Sequence, residues 1–370
     1  MNYKKRLLLF IGCIVIFSCK NVQTIPTINL DNIDKSISLD ITDILKDITM
    51  VQISPEFLLS TDDEIYITSK YLIVYTNGQS IHLFDRDGNY IRKLTERGNG
   101  PGEFYSLRGF YVDEDERILY YRDENNYTRL TRIDISNGKV LDPLQIDFNF
   151  MTMDYINGNV YSLPKFRYAG RSFRAGTFPD SAIVARSISL PSGKMTKYQG
   201  HHSYSYLFAG STVRSYFDEI LLLNYDYSDT LFTINDNRLC PLYVLHLSNK
   251  ISNVGEGGSG CEIVFAYDKG VVLAKVKLVP IPSRGIVSFS KREFALLDRN
   301  GNVFNIDNIC VMGTQINLTD QENLWRPSSL LPIICGKYGY MMVEHDAFEP
   351  QPPNIDPDND NPIIIVGTLK

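Results

Sequence analysis

One tryptophan and five histidines in 370 residues leave little material for chemistry that depends on either. No G-x-S-x-G elbow and no H-E-x-x-H helix occurs, so neither a strained serine nucleophile nor a two-histidine zinc site is written into the chain. Basic residues are not in excess, 37 Lys and Arg against 43 Asp and Glu, and they form no cluster, which argues against a nucleic-acid partner. Beyond residue 17 no run approaches the roughly 20 apolar residues that a membrane-spanning helix needs. Amphipathic helical periodicity of useful length is also missing. Cysteine is sparse: past the first twenty residues only Cys240, Cys261, Cys310 and Cys335 remain. No pair of them has zinc-knuckle spacing. They leave two readings open, one of three disulfide pairings or small buried hydrophobes.

What is present begins with an address. Lys4, Lys5 and Arg6 precede the apolar run Leu7 to Phe17, which is too short to span a bilayer but suits a signal-peptide core. It ends at Ile16-Phe17-Ser18-Cys19, which resembles the lipobox of bacterial lipoproteins. That resemblance implies a signal peptide over residues 1–18, a diacylglycerol on Cys19 and a polar tether over 19–28. The folded body then covers 29–370, lipid-anchored in the cell envelope, with the outer membrane expected and its face unreadable.

The body repeats. Strand, polar turn, strand recurs as Ile81–Ile91, Thr131–Val140, Arg186–Met195 and Phe294–Val303, with turn glycines 88, 138, 193 and 301. A fifth copy, Leu231–Leu239, has Asn237 in the glycine position, where Asn tolerates the positive φ. The turns lie 50, 55, 44 and 64 residues apart. A unit of that length holding several short strands fits a propeller blade, a four-stranded antiparallel sheet. With 23 Tyr and 19 Phe, the composition suits pleated sheet. Upstream of each hairpin lies a more apolar run, read as an inner strand near the axis: 70–75, 117–121, 158–163, 219–224, 270–274 and 338–343. The expectation is an all-β, six-bladed propeller of four-stranded blades, with seven blades as the alternative. Orphan strands at 48–53 and 363–368 should share one blade and close the ring, because an open edge leaves backbone groups unpaired.

Arg97-Gly98-Asn99-Gly100-Pro101-Gly102-Glu103-Phe104 and the ending Asp360-Asn361-Pro362-Ile363-Ile364 resemble motifs of the six-bladed β-propeller lipoproteins of Bacteroidales. Residues 97–126 are also similar to an NHL repeat. The resemblance implies a propeller fold and an envelope location, without an activity. The glycines of the first motif could suit a phosphate, but Pro101 removes a donor and no helix follows, so an interblade turn is expected.

Candidate chemistry is thin. Glu344-His345-Asp346 is the compact acid and imidazole cluster, and the remaining histidines are His82, His201, His202 and His246. An axial-metal hydrolase, lyase or lactonase is therefore the alternative to a binding module. No catalytic residue, metal ligand or cofactor is assigned. The unusual insertion is Pro164 to Asp180, where Arg167, Tyr168, Arg171 and Arg174 interleave charge with aromatic rings. Such a set could hold an acidic sugar or carboxylate by forked hydrogen bonds and stacking. His201, His202, Tyr204 and Tyr206 make a second loop of this kind. The expected partner is an unidentified glycan, peptide or protein.

Overall fold

The computed structural model describes residues 25–370, except 61–62, 77, 114–116, 127, 147–151, 157, 164–175, 178–182, 191, 200–204, 207–210, 217–219, 226–228, 250–257, 282–285, 319–330, 345–347 and 349–354. Its strands form six blades of a propeller. Blade 1 comprises Glu64–Ile67, Tyr71–Thr76, Ser80–Asp85 and Tyr90–Glu96, paired antiparallel in that order. Blade 2 holds Leu107–Val112, Ile118–Asp123, Arg129–Asp134 and Val140–Gln145. Blade 3 holds Thr152–Ile156, Asn159–Leu163, Ile183–Ser189 and Met195–Gln199, and blade 4 Ser211–Tyr216, Ile220–Tyr225, Thr230–Asn235 and Arg238–His246. Blade 5 is longer: Gly258–Tyr267, Gly270–Ile281, Ile286–Asp298 and Val303–Val311. Blade 6 takes Ile333–Cys335, Tyr338–Val343 and Ile363–Leu369 from the C-terminal region and its outer strand, Leu45–Val51, from the N-terminal region.

The shared blade is paired as the orphan strands predict, with Ile364 opposite Val51, Ile365 opposite Met50 and Leu369 opposite Leu45. Six blades account for the ring, and the seven-blade alternative falls. The apolar runs read as inner strands are the second strand of each blade. First strands of successive blades approach one another around the axis. The second strands are more apolar because each is sandwiched between two neighbouring blades, so consecutive residues are buried: Leu72, Ile73 and Val74, or Val271, Val272, Leu273 and Ala274. The cores therefore lie between blades, as where Ile73, Leu83, Phe104, Phe110, Leu119 and Tyr121 join blades 1 and 2.

The hairpin turns follow their chemistry. Gly88, Gly138, Gly193 and Gly301 all have positive φ, and so does Asn237 at 59°. At Gly88 a side chain would also meet the Gln52 carbonyl oxygen at 2.3 Å, so glycine is required twice over. Asp85 and Asp298 hold their turns identically: Oδ1 accepts from the backbone of Asp87 and Asn89, or of Asn300 and Asn302, and Oδ2 from the side chain of Asn89 or Asn302. All four body cysteines are free thiols, and Cys261 is buried, so the hydrophobe reading holds for it and no disulfide staples the ring.

Two devices not visible in the blade repeat complete the ring. The first is an N-terminal strap. Thr27–Asn29 runs parallel to Val244–His246 on the outer edge of blade 4, and Ser36–Asp40 runs parallel to the outer strand of blade 5. One helical turn, Ile41–Ile44, capped by the Asp40 carboxylate on the Thr42 amide, then leads into the outer strand of blade 6. Ile28, Leu30, Leu39, Ile41 and Ile44 are all buried against the blades. The second device is a clasp. Asn361 Oδ1 accepts from the Leu59 amide at 2.6 Å, while its Nδ2 donates to the carbonyls of Ile53 and Ser54. Asn359 Nδ2 donates to Ile53 O, and Gln52 Nε2 donates back to the carbonyls of Asn359 and Asn361. The Asp-Asn-Pro ending thus satisfies buried backbone groups where the two ends of the chain meet.

Candidate binding face

Because the strands within a blade alternate in direction, the connections divide between the two ends of the ring. Turns from first to second and from third to fourth strand lie at one end and span two to five residues each. Connections from second to third strand, and from each blade to the next, lie at the other end, and every long connection is there. We call these the turn end and the loop end.

The described strands that precede the three segments singled out from sequence, ending at Leu163, Gln199 and Val343, all run to the loop end. The insertion after Leu163 joins the second and third strands of blade 3, and the segment after Gln199 joins blade 3 to blade 4. They are tied together: Gly176–Thr177 pairs antiparallel with Ser205–Tyr206, Gly176 opposite Tyr206 and Thr177 opposite Ser205. Arg167, Tyr168, Arg171 and Arg174 themselves lie outside the described residues, as do His201, His202 and Tyr204. Glu344 follows the second strand of blade 6 and is exposed, while His345 and Asp346 lie outside the described residues. Cys19 is likewise outside them. His82 and His246 are on outer parts of blades 1 and 4, far apart in the strand order. Among the described residues no group of three or more His, Cys, Asp or Glu side chains could hold a metal ion.

The glycine-rich segment crosses from blade 1 to blade 2 and is filled by its own glutamate. Glu103 Oε2 accepts from the Gly100 amide at 2.6 Å, and side chains at positions 98 or 100 would strike that carboxylate. The concavity that might cradle an anion therefore already contains one. Phe104 is fully buried between the blades, and the Gly102 carbonyl accepts from Thr95 and Tyr121. Burial pushes the Tyr121 phenol above its ordinary range, keeping it the neutral donor this contact needs. Beside this plug, Tyr105 is exposed and the Arg97 guanidinium lies 5.4 Å from its ring centre. The sequence motif does not reveal this cation and aromatic pair, although Arg97 opens it and Tyr105 directly follows it.

At the opposite end a cleft of about 560 Å³ opens between the strap and blade 5, lined by Ile37, Lys269, Leu296, Asp298, Arg299 and Phe304. Two of its charges serve the fold: Lys269 pairs with Asp43 at 2.6 Å, and Asp298 holds its turn.

Comparison with known proteins places the chain in a family. A model described as a domain of unknown function, DUF4934, matches residues 25–260, and the chain belongs to that family. No curated protein matches it in sequence. A Bacteroides fragilis protein described as exported superposes with a TM-score of 0.54 at 11% identity, over 94% of this chain and 100% of that one. A member of the DUF4221 family from Bacteroides vulgatus superposes with a TM-score of 0.50 at 12% identity, over 88% of this chain and 97% of that one. At such identities the likeness is one of fold.

Proposed function

We propose that this chain is an exported, lipid-anchored propeller with NHL-like repeats that acts as a binding module, taking an acidic glycan, peptide or protein on its loop end. The observation that supports the reading is the strand pair Gly176–Thr177 with Ser205–Tyr206, which joins the described residues of the blade 3 insertion to those of the aromatic segment that follows the blade. Export is supported by the basic and apolar N-terminal segment and by the description of the Bacteroides fragilis relative. Anchoring is supported by Ser18-Cys19 at the end of the apolar run. Fold alone does not select a ligand; the chemistry of Arg167, Tyr168, Arg171 and Arg174 does, since guanidinium forks match carboxylates and aromatic rings stack on sugars.

The test is a thermal-shift screen of the soluble body against acidic oligosaccharides and peptides, followed by titration of the best hit. Replacing Arg167, Arg171 and Arg174 together by Ala should weaken binding at least tenfold and flatten its salt dependence, because exposed charge attraction is screened. Stability should move by no more than about 0.5 kcal/mol. Unchanged affinity in the triple variant moves the site elsewhere. Metal-dependent turnover that vanishes in Glu344→Ala replaces the binding reading with an enzymatic one.

A further inference from the structure

Arg97 and Tyr105 stand where the chain crosses from blade 1 to blade 2, and both side chains are exposed. Their backbones are held from several sides. The Arg97 amide donates to the Gln79 carbonyl at 2.7 Å, and Arg97 is bridged in parallel register to Phe104, whose side chain is fully buried. The amides of Tyr105 and Ser106 both donate to Oδ1 of Asp123, which ends the second strand of blade 2 at the loop end. A ring that is 51% exposed is thus held in place, with the Arg97 guanidinium 5.4 Å from its centre.

The acids beside that guanidinium are committed elsewhere. Glu96 pairs with Lys93 Nζ at 2.6 Å, Glu103 accepts from the Gly100 amide, and Asp123 accepts from the two amides just named. Among the described residues Arg97 makes no ion pair. An arginine stacked on a ring still presents its N–H edge, the fork that matches a carboxylate. The ring offers an apolar surface next to that fork. A ligand unit that carries a flat apolar face and a carboxylate together satisfies both groups. A uronic-acid sugar is such a unit, its C–H face lying on the ring while its carboxylate takes the fork. An acidic peptide side chain brings the carboxylate without the face.

We propose that Arg97 and Tyr105 form a sugar subsite, and that the ligand of the loop end is an acidic oligosaccharide built of uronic acids. The proposal rests on the reading of the loop end as a binding face, and it extends that face from blades 3 and 4 to the junction of blades 1 and 2.

The experiment titrates the mature full-length protein, in detergent solution, with tetramers of galacturonate, glucuronate and mannuronate and with their methyl esters, by isothermal calorimetry. The acid that binds tightest should exceed its uncharged ester about tenfold or more. Arg97→Gln should weaken that acid about tenfold, as loss of a charge-assisted pair does, and Tyr105→Ala about fivefold. Tyr105→Phe keeps the ring and should bind within about twofold of the parent. All three variants should melt with the parent, because both side chains are exposed. If Arg97→Gln and Tyr105→Ala bind the acid as the parent does while the Arg167, Arg171 and Arg174 variant is weakened, the subsite falls and the loop reading stands. The opposite pattern upholds the subsite and removes the loops from the site. Acidic peptides that bind where no uronic-acid tetramer does overturn the proposal and keep the binding face. Binding by neither tetramers nor acidic peptides overturns both.

Discussion

Along blades 4 to 6 the chain's own N-terminal segment dresses the outer rim, whereas along blades 1 to 3 the outer strands Tyr90–Glu96, Val140–Gln145 and Met195–Gln199 carry no strap. Tyr90, Ile91, Val140 and Met195, at the starts of those bare strands, are exposed apolar side chains. Val303, in the same place on blade 5, is half-buried beside the strap. The outer strands of blades 1 to 3 instead carry Arg92 and Lys93, Pro143, and Lys197, the charges and proline that discourage a further strand from adding, and the third meets blade 4 only at its end, where Gln199 bridges to Arg238. One ring thus handles its exposed edges in two ways, by covering them with apolar contacts or by making them unattractive to pair with. The covered half should depend on distant chain segments, and the bare half should not.

The sharpest way to break this comparison is to open the seam where the covered half closes. Ile363, Ile364, Ile365 and Val366 are fully buried, and burying each such side chain contributes about 1.5–3 kcal/mol. Their sum rivals the roughly 5–15 kcal/mol stability of a whole domain. Deleting residues 360–370 should leave no cooperative melting transition by circular dichroism. A retained transition would mean that the ring does not need its shared blade. Asn361→Ala tests the clasp alone. It orphans the Leu59 amide and the carbonyls it served, and should cost about 1–3 kcal/mol in chemical denaturation.

A paired substitution sharpens the contrast between rims. Leu30 in the strap is fully buried between blades 4 and 5, so Leu30→Ala should destabilise by about 2–5 kcal/mol. Met195 on the bare rim is exposed, and Met195→Ala should change stability by no more than about 0.5 kcal/mol. Similar costs for the two in urea unfolding would dissolve the distinction between a covered and a bare half.

The repeat was legible because five blades carry their own turn chemistry: glycine or Asn237 at positive φ, joined in blades 1, 2 and 5 by an aspartate that organises the turn. Closure was legible because strands at 48–53 and 363–368 had no hairpin partner in sequence. The strap was not, because Thr27–Asn29 and Ser36–Asp40 are too short to show a period and their partners are more than two hundred residues away. The second strands were legible as inner strands because burial on both faces makes their runs continuously apolar. At the candidate site the composition of the two loops was legible. Their union through Gly176 and Tyr206 was not, since a two-residue pairing leaves no pattern.

The smallest expected effect is a pH dependence confined to the bare half. His82 lies on the third strand of blade 1, with the Phe57 ring 4.5 Å away and Ser80 Oγ 2.6 Å from its Nε2. Burial, reinforced by the Lys93 charge and opposed by Glu96, holds its imidazole below the ordinary range. A histidine with a lowered folded pKa binds its proton more readily when unfolded. Stability is therefore complete above the ordinary histidine value of about 6.5 and falls as pH drops from there toward the folded value. The turn carboxylates act in a separate window. Burial would raise Asp85 and Asp298, but hydrogen bonds from Asn89 or Asn302 and neighbouring amides prevail and hold them below the usual carboxylate range. Their contribution persists until pH falls below about 4. Melting temperature should accordingly decline by a few degrees between pH 7 and pH 5, and His82→Phe should flatten that interval while leaving the steeper acid loss below pH 4. An unchanged slope in the variant would assign the mid-range dependence to another histidine.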